Sequence, residues 1–222
     1  MQDQPDGSLS SSPCFAHELE QGDDGSFHVV DEQQRCDVMR WRKSEREKLI
    51  AARLAVTAER RTEWAAAIAR HVAASHDFEN RVVSFYWPFR GEPDLRPLIR
   101  VVLERGGFCA LPVVVRKAEA LVFRAWKPGE PLERGVWNIP VPASGEPVTP
   151  ELVIAPVVGF DGQGFRLGYG GGFFDRTLAA MVAKPVVLGV GYELARIPTI
   201  FPQPHDIPMQ AIVTQDGTVV TA

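Results

Sequence analysis

The stretch LVIAPVVGFDGQGFRLGYGGGFFDR, residues 152–176, runs from an apolar segment through a glycine-dense loop into the start of a helix. Leu152–Val158 carries no charge and has the length of a strand buried on both faces. Seven glycines then fall within the fourteen positions Gly159–Gly172. A helix is expected from about Phe173 to Val182, and Val186–Val190 returns as a second buried strand. Glycine lets a backbone take positive φ and approach a ligand closely. The helix behind the loop aims its free N–H groups and its partial positive charge at the same place. This is how a chain cradles phosphate. There is no GK[ST], so the loop is not a Walker A motif, and its GxG fragments alone do not establish a dinucleotide site. Glycines alone suit a flexible loop equally. Arg166 can neutralise phosphate from inside the loop. Asp175, in the first helical turn, can hold Mg²⁺ against the phosphates. It can also be a plain first-turn acid, worth about 0.3–1 kcal/mol to the helix, whose loss would leave the fold intact.

Working outward, apolar strands alternate with helices. Upstream, a helix is expected over Val38–Val56, with Arg42, Arg46 and Arg53 on one basic face; a solvated charged face is the other reading. Thr57 is placed to cap a second helix carrying Trp64, Ile68 and Val72 at four-residue spacing. Arg81–Trp87 reads as a buried strand ending at Pro88, and Asp94 as the cap of a helix reaching Gly106–Gly107. Phe108–Val115, interrupted by Pro112, and Leu121–Trp126 read as strands. Downstream, Pro198–Pro208 is extended, and Ala211–Val213 is a last strand before an Asp216-Gly217 turn. The pattern predicts a three-layer α/β/α domain on a mainly parallel sheet.

The chain has 222 residues, 45% hydrophobic and 23% charged, which suits one domain plus a tail. Its net charge of −4 is uneven. Residues 1–34 hold eight acids and no Lys or Arg, leaving 24 basic and 20 acidic residues elsewhere. A mildly positive body suits a small anionic ligand and is too weak for nucleic acid. Residues 1–34 are expected to be a disordered acidic tail, and 35–222 a single α/β catalytic domain. In the tail, Cys14, His17 and Glu18 form half a metal site at best. No apolar run suggests a membrane span, no basic stretch precedes an apolar one as in a secretory signal, and the three cysteines form no CxxC pair. A cytoplasmic monomer is expected.

Taken together, RLGYGGGFFDR (166–176), the Arg42-x-x-x-Arg46 pair, FYWPFRGEPD (85–94), WNIP (137–140) and HDIP (205–208) resemble the 5-formyltetrahydrofolate cyclo-ligase family. The match runs from about residue 40 to 214. It implies a NagB/RpiA/CoA-transferase-like fold and ATP-dependent cyclisation of 5-formyltetrahydrofolate to 5,10-methenyltetrahydrofolate. The partners so implied are ATP and a reduced folate. The ATP contacts implied are Arg42, Arg46, Gly164, Arg166, Leu167, Gly168, Tyr169, Gly170, Gly171, Gly172 and Phe174. For the folate they are Trp87, Glu92, Trp137, Tyr169 and Phe173, although Trp137 can equally be core. Arg166 and Asp175 are the implied catalytic residues, with Mg²⁺ on Asp175 and Asp206. The chain departs from the family pattern in four places. Arg42 replaces a usual Lys, Phe173–Phe174 replace a tyrosine pair, Gln210 replaces a late acid, and Gly171 stands where some members carry Lys. Two other classes stay open: a non-catalytic paralogue that binds nucleotide or folate, and an interaction protein working through its acidic tail.

Overall fold

The computed structural model describes residues 20–22, 27–28 and 32–220. Cys14, His17 and Glu18 lie outside the described residues. Within the acidic segment, Glu20–Gln21 (β1) pairs antiparallel with Phe27–His28 (β2). The expected boundary at 34/35 falls inside a helix, because α1 spans Glu32–Ala55 and starts six residues before Val38. The early turns are held locally. Gln33 donates to Asp37 one turn on at 3.2 Å, and Arg40 donates to Asp37 at 2.9 Å. Thr57 caps α2 (Ala58–Ser75) by accepting from the Arg60 N–H. The remaining helices are α3 (Arg96–Glu104) and α4 (Phe173–Ala180).

The later strands are β3 (Val82–Ser84), β4 (Phe108–Val113), β5 (Val122–Ala125), β6 (Leu132–Arg134) and β7 (Pro140–Pro142). They continue with β8 (Pro147–Val148), β9 (Leu152–Pro156), β10 (Gly159–Phe160), β11 (Arg166–Leu167), β12 (Val186–Val190), β13 (Ala211–Thr214) and β14 (Gly217–Val220). Eight of them form one sheet in the order β14-β13-β12-β9-β3-β4-β5-β8. The five central strands are parallel, and antiparallel partners close both sides. The sheet is therefore mainly parallel, as its apolar strands predict.

Alternation along these strands builds two cores. Leu152 and Ile154 of β9, with Leu188 and Val190 of β12, face Ile68, Val72, Leu98 and Val102 of α2 and α3. Val153, Ala155 and Val187 point the other way, into a cluster with Leu178 of α4. That is three layers, and it explains why β9 and β12 read as unbroken apolar runs. A third cluster joins Leu49 of α1 to Val158, Phe165, Leu167 and Ile200. There α1 rests on the hairpin of β10 and β11, and a Cβ on Gly159 would stand 2.6 Å from the Leu49 methyl. Only glycine admits so close an approach without lifting the helix.

Several sequence expectations shift. β4 runs through Pro112 without a break. The Ala110 carbonyl accepts from the Phe85 N–H, so Pro112, two residues on, turns its missing donor toward the same side, where pairing with β3 has already ended. The loop 159–172 is not wholly irregular, since β10 and β11 pair within it. Leu95, with no side-chain cap bond, precedes α3; Asp94 accepts from the Arg96 N–H instead. Strand β14, across the Asp216-Gly217 turn, is an addition to the elements expected, as are the short pairs β5–β8 and β6–β7.

Candidate active site

A cleft opens beyond the C-terminal ends of β3, β4 and β9, lined there by Trp87, Pro112 and Pro156. Strand ends of a parallel sheet are where such folds take ligands. Helix α1 runs along one wall. From Arg42 to Arg53 it rises about 17 Å at 1.5 Å per residue, and it puts Arg42 and Arg46 into the cleft lining.

The glycine-loop end is dense in charge. Arg166 is buried and pairs with Asp175 at 3.0 Å, their side chains 4% and 17% exposed. Asp175 also accepts from the Ile207 N–H at 3.3 Å. Arg42, equally buried, pairs with Asp206 at 2.5 Å and donates to the Ile200 and Phe201 carbonyls. Asp206 in turn accepts from the Gln203 N–H at 2.6 Å. Arg46 donates to the Gly168 carbonyl at 2.6 Å and lies over Gly170. Burial, then the nearby Arg42 charge, lower the Arg46 pKa, with Asp206 opposing. Burial likewise lowers that of Arg166, against the pull of Asp175 and Asp206. Gly172, at φ 61, precedes α4 and supplies no side-chain cap, so the first-turn N–H groups of that helix remain for a ligand.

The other end is built around Glu92, 6% exposed. Its Oε2 accepts from the Phe89 N–H at 2.8 Å. Its Oε1 is buried and has no hydrogen-bond partner among the described residues. Burial raises the carboxyl to about 7, against the opposing influence of Arg53, the Phe89 N–H and the neighbouring Tyr169 hydroxyl. That hydroxyl lies beside Glu92 yet makes its hydrogen bonds to the Phe89 carbonyl at 3.4 Å and with Arg53 at 2.8 Å. Trp137 overhangs the mouth, 53% exposed, with ring centroids 6.5 Å from Tyr169 and 6.2 Å from Phe173. With half its surface exposed it is not core, and its backbone sits at φ 55 and ψ 23.

The structure brings Arg42, Arg46, Trp87, Glu92, Trp137, Arg166–Gly168, Tyr169–Asp175 and Asp206 to this one cleft. Gly164 is the exception. It closes the β10–β11 turn, where its N–H donates to the Asp161 carbonyl and its own carbonyl accepts from the Met209 N–H. Its φ of 81 is a turn requirement, not a ligand contact. Phe89 and His205 also line the cleft, inside the FYWPFRGEPD and HDIP stretches, where neither residue type by itself points to a ligand. Arg53, on the predicted basic face, is tied to the cleft from behind through Tyr169.

Among the described residues no three His, Cys, Asp or Glu side chains gather as a metal cage. Asp175 and Asp206 are hard oxygen donors at the cleft wall. Two carboxylates suit a Mg²⁺ that arrives with nucleotide phosphates and keeps several waters. They do not suit a metal held by protein alone. No helix among the described residues is long and apolar enough to cross a membrane.

A sequence profile described as the 5-formyltetrahydrofolate cyclo-ligase family matches residues 38–215. The 5-formyltetrahydrofolate cyclo-ligase of Escherichia coli K12 is 33% identical over 139 residues, covering 60% of this chain and 76% of that protein. The enzyme of that name from Mycolicibacterium smegmatis is 30% identical over 151 residues, covering 63% and 76%. The NMR structure of Aquifex aeolicus 5,10-methenyltetrahydrofolate synthetase superposes with a TM-score of 0.70 at 27% identity, covering 81% of this chain and 92% of that one.

Proposed function

The chain belongs to the 5-formyltetrahydrofolate cyclo-ligase family, and from that premise we propose that it converts 5-formyltetrahydrofolate and ATP into 5,10-methenyltetrahydrofolate, ADP and phosphate in this cleft. An amide oxygen is a poor leaving group, so the formyl oxygen must first be activated. That oxygen attacks the γ-phosphorus and ADP departs, giving an imidate phosphate. N10 then attacks the former formyl carbon, loses its proton, and phosphate leaves with the oxygen.

Catalysis of the phosphoryl step is mostly positioning and charge neutralisation. Arg46, Arg166 and the N-terminus of α4 converge on the glycine loop and would hold the phosphates. Arg42 holds Asp206 in place. Asp175 and Asp206 would hold Mg²⁺, which when bound shields the negative charge of the transferring group. At the other end Glu92 would accept from the amide and amine of the pterin, with Trp87 and Trp137 bounding the ring. The observation that carries this reading is the unpartnered Glu92 Oε1, a buried acceptor at the cleft wall opposite a phosphate cradle. Buried polar groups are otherwise satisfied, so a ligand bearing donors is the natural partner. The test is absorbance of methenyltetrahydrofolate formed with ATP and Mg²⁺. Product that appears without ATP, or none with all components present, would defeat the proposal.

A further inference from the structure

Arg53 takes no direct part in lining the cleft, yet its guanidinium touches the supports of both ends. Its Nε donates to the Arg90 carbonyl at 3.0 Å, within the turn that carries Glu92. Its Nη2 donates to the Tyr169 hydroxyl at 2.8 Å, inside the glycine loop between Gly168 and Gly170. Its Nη1 reaches the Val157 carbonyl, just past the end of β9, at 3.4 Å. The side chain is buried, and among the described residues no carboxylate forms an ion pair with it. The turn it holds keeps Arg90 in the left-handed region at φ 47, followed by Gly91 at φ 74, which glycine adopts freely. A second strand of contact closes the loop between the two ends. Tyr169 donates to the Phe89 carbonyl, and the Phe89 N–H is held by Glu92.

A planar guanidinium makes these bonds in fixed relative directions. If the glycine loop shifts to embrace a ligand, Tyr169 moves the fork, and the fork moves the turn that aims Glu92. We propose that Arg53 is a positioning residue that couples the two ends of the cleft, so that nucleotide at the glycine loop and folate at Glu92 strengthen each other's binding. The inference rests on the functional reading above for the identity of the two ligands. It adds that the subsites are linked through one buried cation and do not fill independently. Such coupling is reciprocal, whichever ligand binds first.

Calorimetry on the full chain tests it. The dissociation constant of 5-formyltetrahydrofolate is measured with Mg²⁺ alone and with Mg²⁺ plus a saturating non-hydrolysable ATP analogue, and the converse titration is run. The wild type should show each ligand tightened by the same factor, about 5- to 150-fold. Arg53→Lys keeps the charge but offers one point where three bonds are needed, and the factor should fall to near unity while each ligand alone still binds. Arg53→Met should do the same. If it fails to fold, Arg53→Lys and Arg53→Gln, which keeps a short pair of donors without the charge, decide the matter. A merely structural role would weaken each ligand alone and leave the factor intact, and that result overturns the proposal. Wild-type protein that binds both ligands without mutual effect also overturns it, while leaving the functional reading standing. Wild-type protein that binds neither ligand removes the functional reading itself.

Discussion

At the glycine-loop end of the cleft each carboxylate has an arginine, Asp175 with Arg166 at 3.0 Å and Asp206 with Arg42 at 2.5 Å. At the other end Glu92 is more deeply buried, forms no ion pair with an arginine among the described residues, and leaves one oxygen unbonded. The first arrangement is complete without a ligand. A phosphate arriving there has to share arginines already engaged, so recognition is an exchange of partners and the empty site costs the fold little. The second arrangement is incomplete until something donates to it. A buried, unmatched carboxylate burdens the free protein, and the molecule that satisfies it recovers that burden as affinity.

The sharpest way to break this contrast is to remove a partner at the complete end. Asp175→Ala strands Arg166 in the interior. Breaking a buried ion pair costs about 3–5 kcal/mol, well above the fraction expected of a first-turn acid. Turnover should fall by about a hundredfold or more, as when a positioned charge is lost from a transition-state site. Chemical denaturation and the methenyltetrahydrofolate assay read the two effects. A mutant of normal stability and activity would show that the pair is not structural and that Asp175 lies outside the chemistry.

At the incomplete end, Glu92→Gln swaps one acceptor for a donor at nearly constant size. A hydrogen bond to a charged group contributes about 1.5–3 kcal/mol, which converts to a ten- to hundredfold weaker folate interaction. Nucleotide binding measured without folate should barely change. Loss of nucleotide binding with folate binding retained would mean that the two ends have been assigned in reverse.

The same substitution sharpens the contrast through pH. Glu92 is raised from 4.5 to about 7 by burial. Between those values the folded protein keeps a proton that the unfolded chain gives up, so stability falls as pH rises through the window. From pH 5 to pH 8 the loss attributable to Glu92 is about 2–3 kcal/mol. A glutamine side chain does not titrate, so Glu92→Gln should gain on the wild type by that amount across the same range. Parallel stability curves for the two proteins would show that Glu92 is not held near neutral.

Much of this is readable from residue pattern. β12 runs over the residues expected of it, Val186–Val190, because a strand buried on both faces is a plain apolar run. Thr57 marks its helix start because a cap is a local bond. The glycine loop stands out because positive φ and close approach admit few other residues. The rest depends on contacts far apart in sequence. β10 and β11 have two residues each and no period to detect. Gly164 looks like every other glycine of the loop until its turn is seen. Arg53 shares a helix face with Arg42 and Arg46, but nothing nearby says that its partners lie 37, 104 and 116 residues away. The pairing of Asp206 with Arg42 spans 164 residues and is equally invisible.

Trp137 offers one further use. Of the five tryptophans in the chain it alone combines high exposure with a place at the rim of the cleft, beside Tyr169 and Phe173. Its backbone is pinned in the left-handed region by the Gly135–Ile139 and Asn138–Gly135 hydrogen bonds, so the indole has a fixed perch and open water on one side. An indole in water emits at longer wavelength than one covered by an apolar or aromatic surface. The protein thus carries its own optical probe of occupancy, and filling of the cleft can be followed in real time without attaching a label.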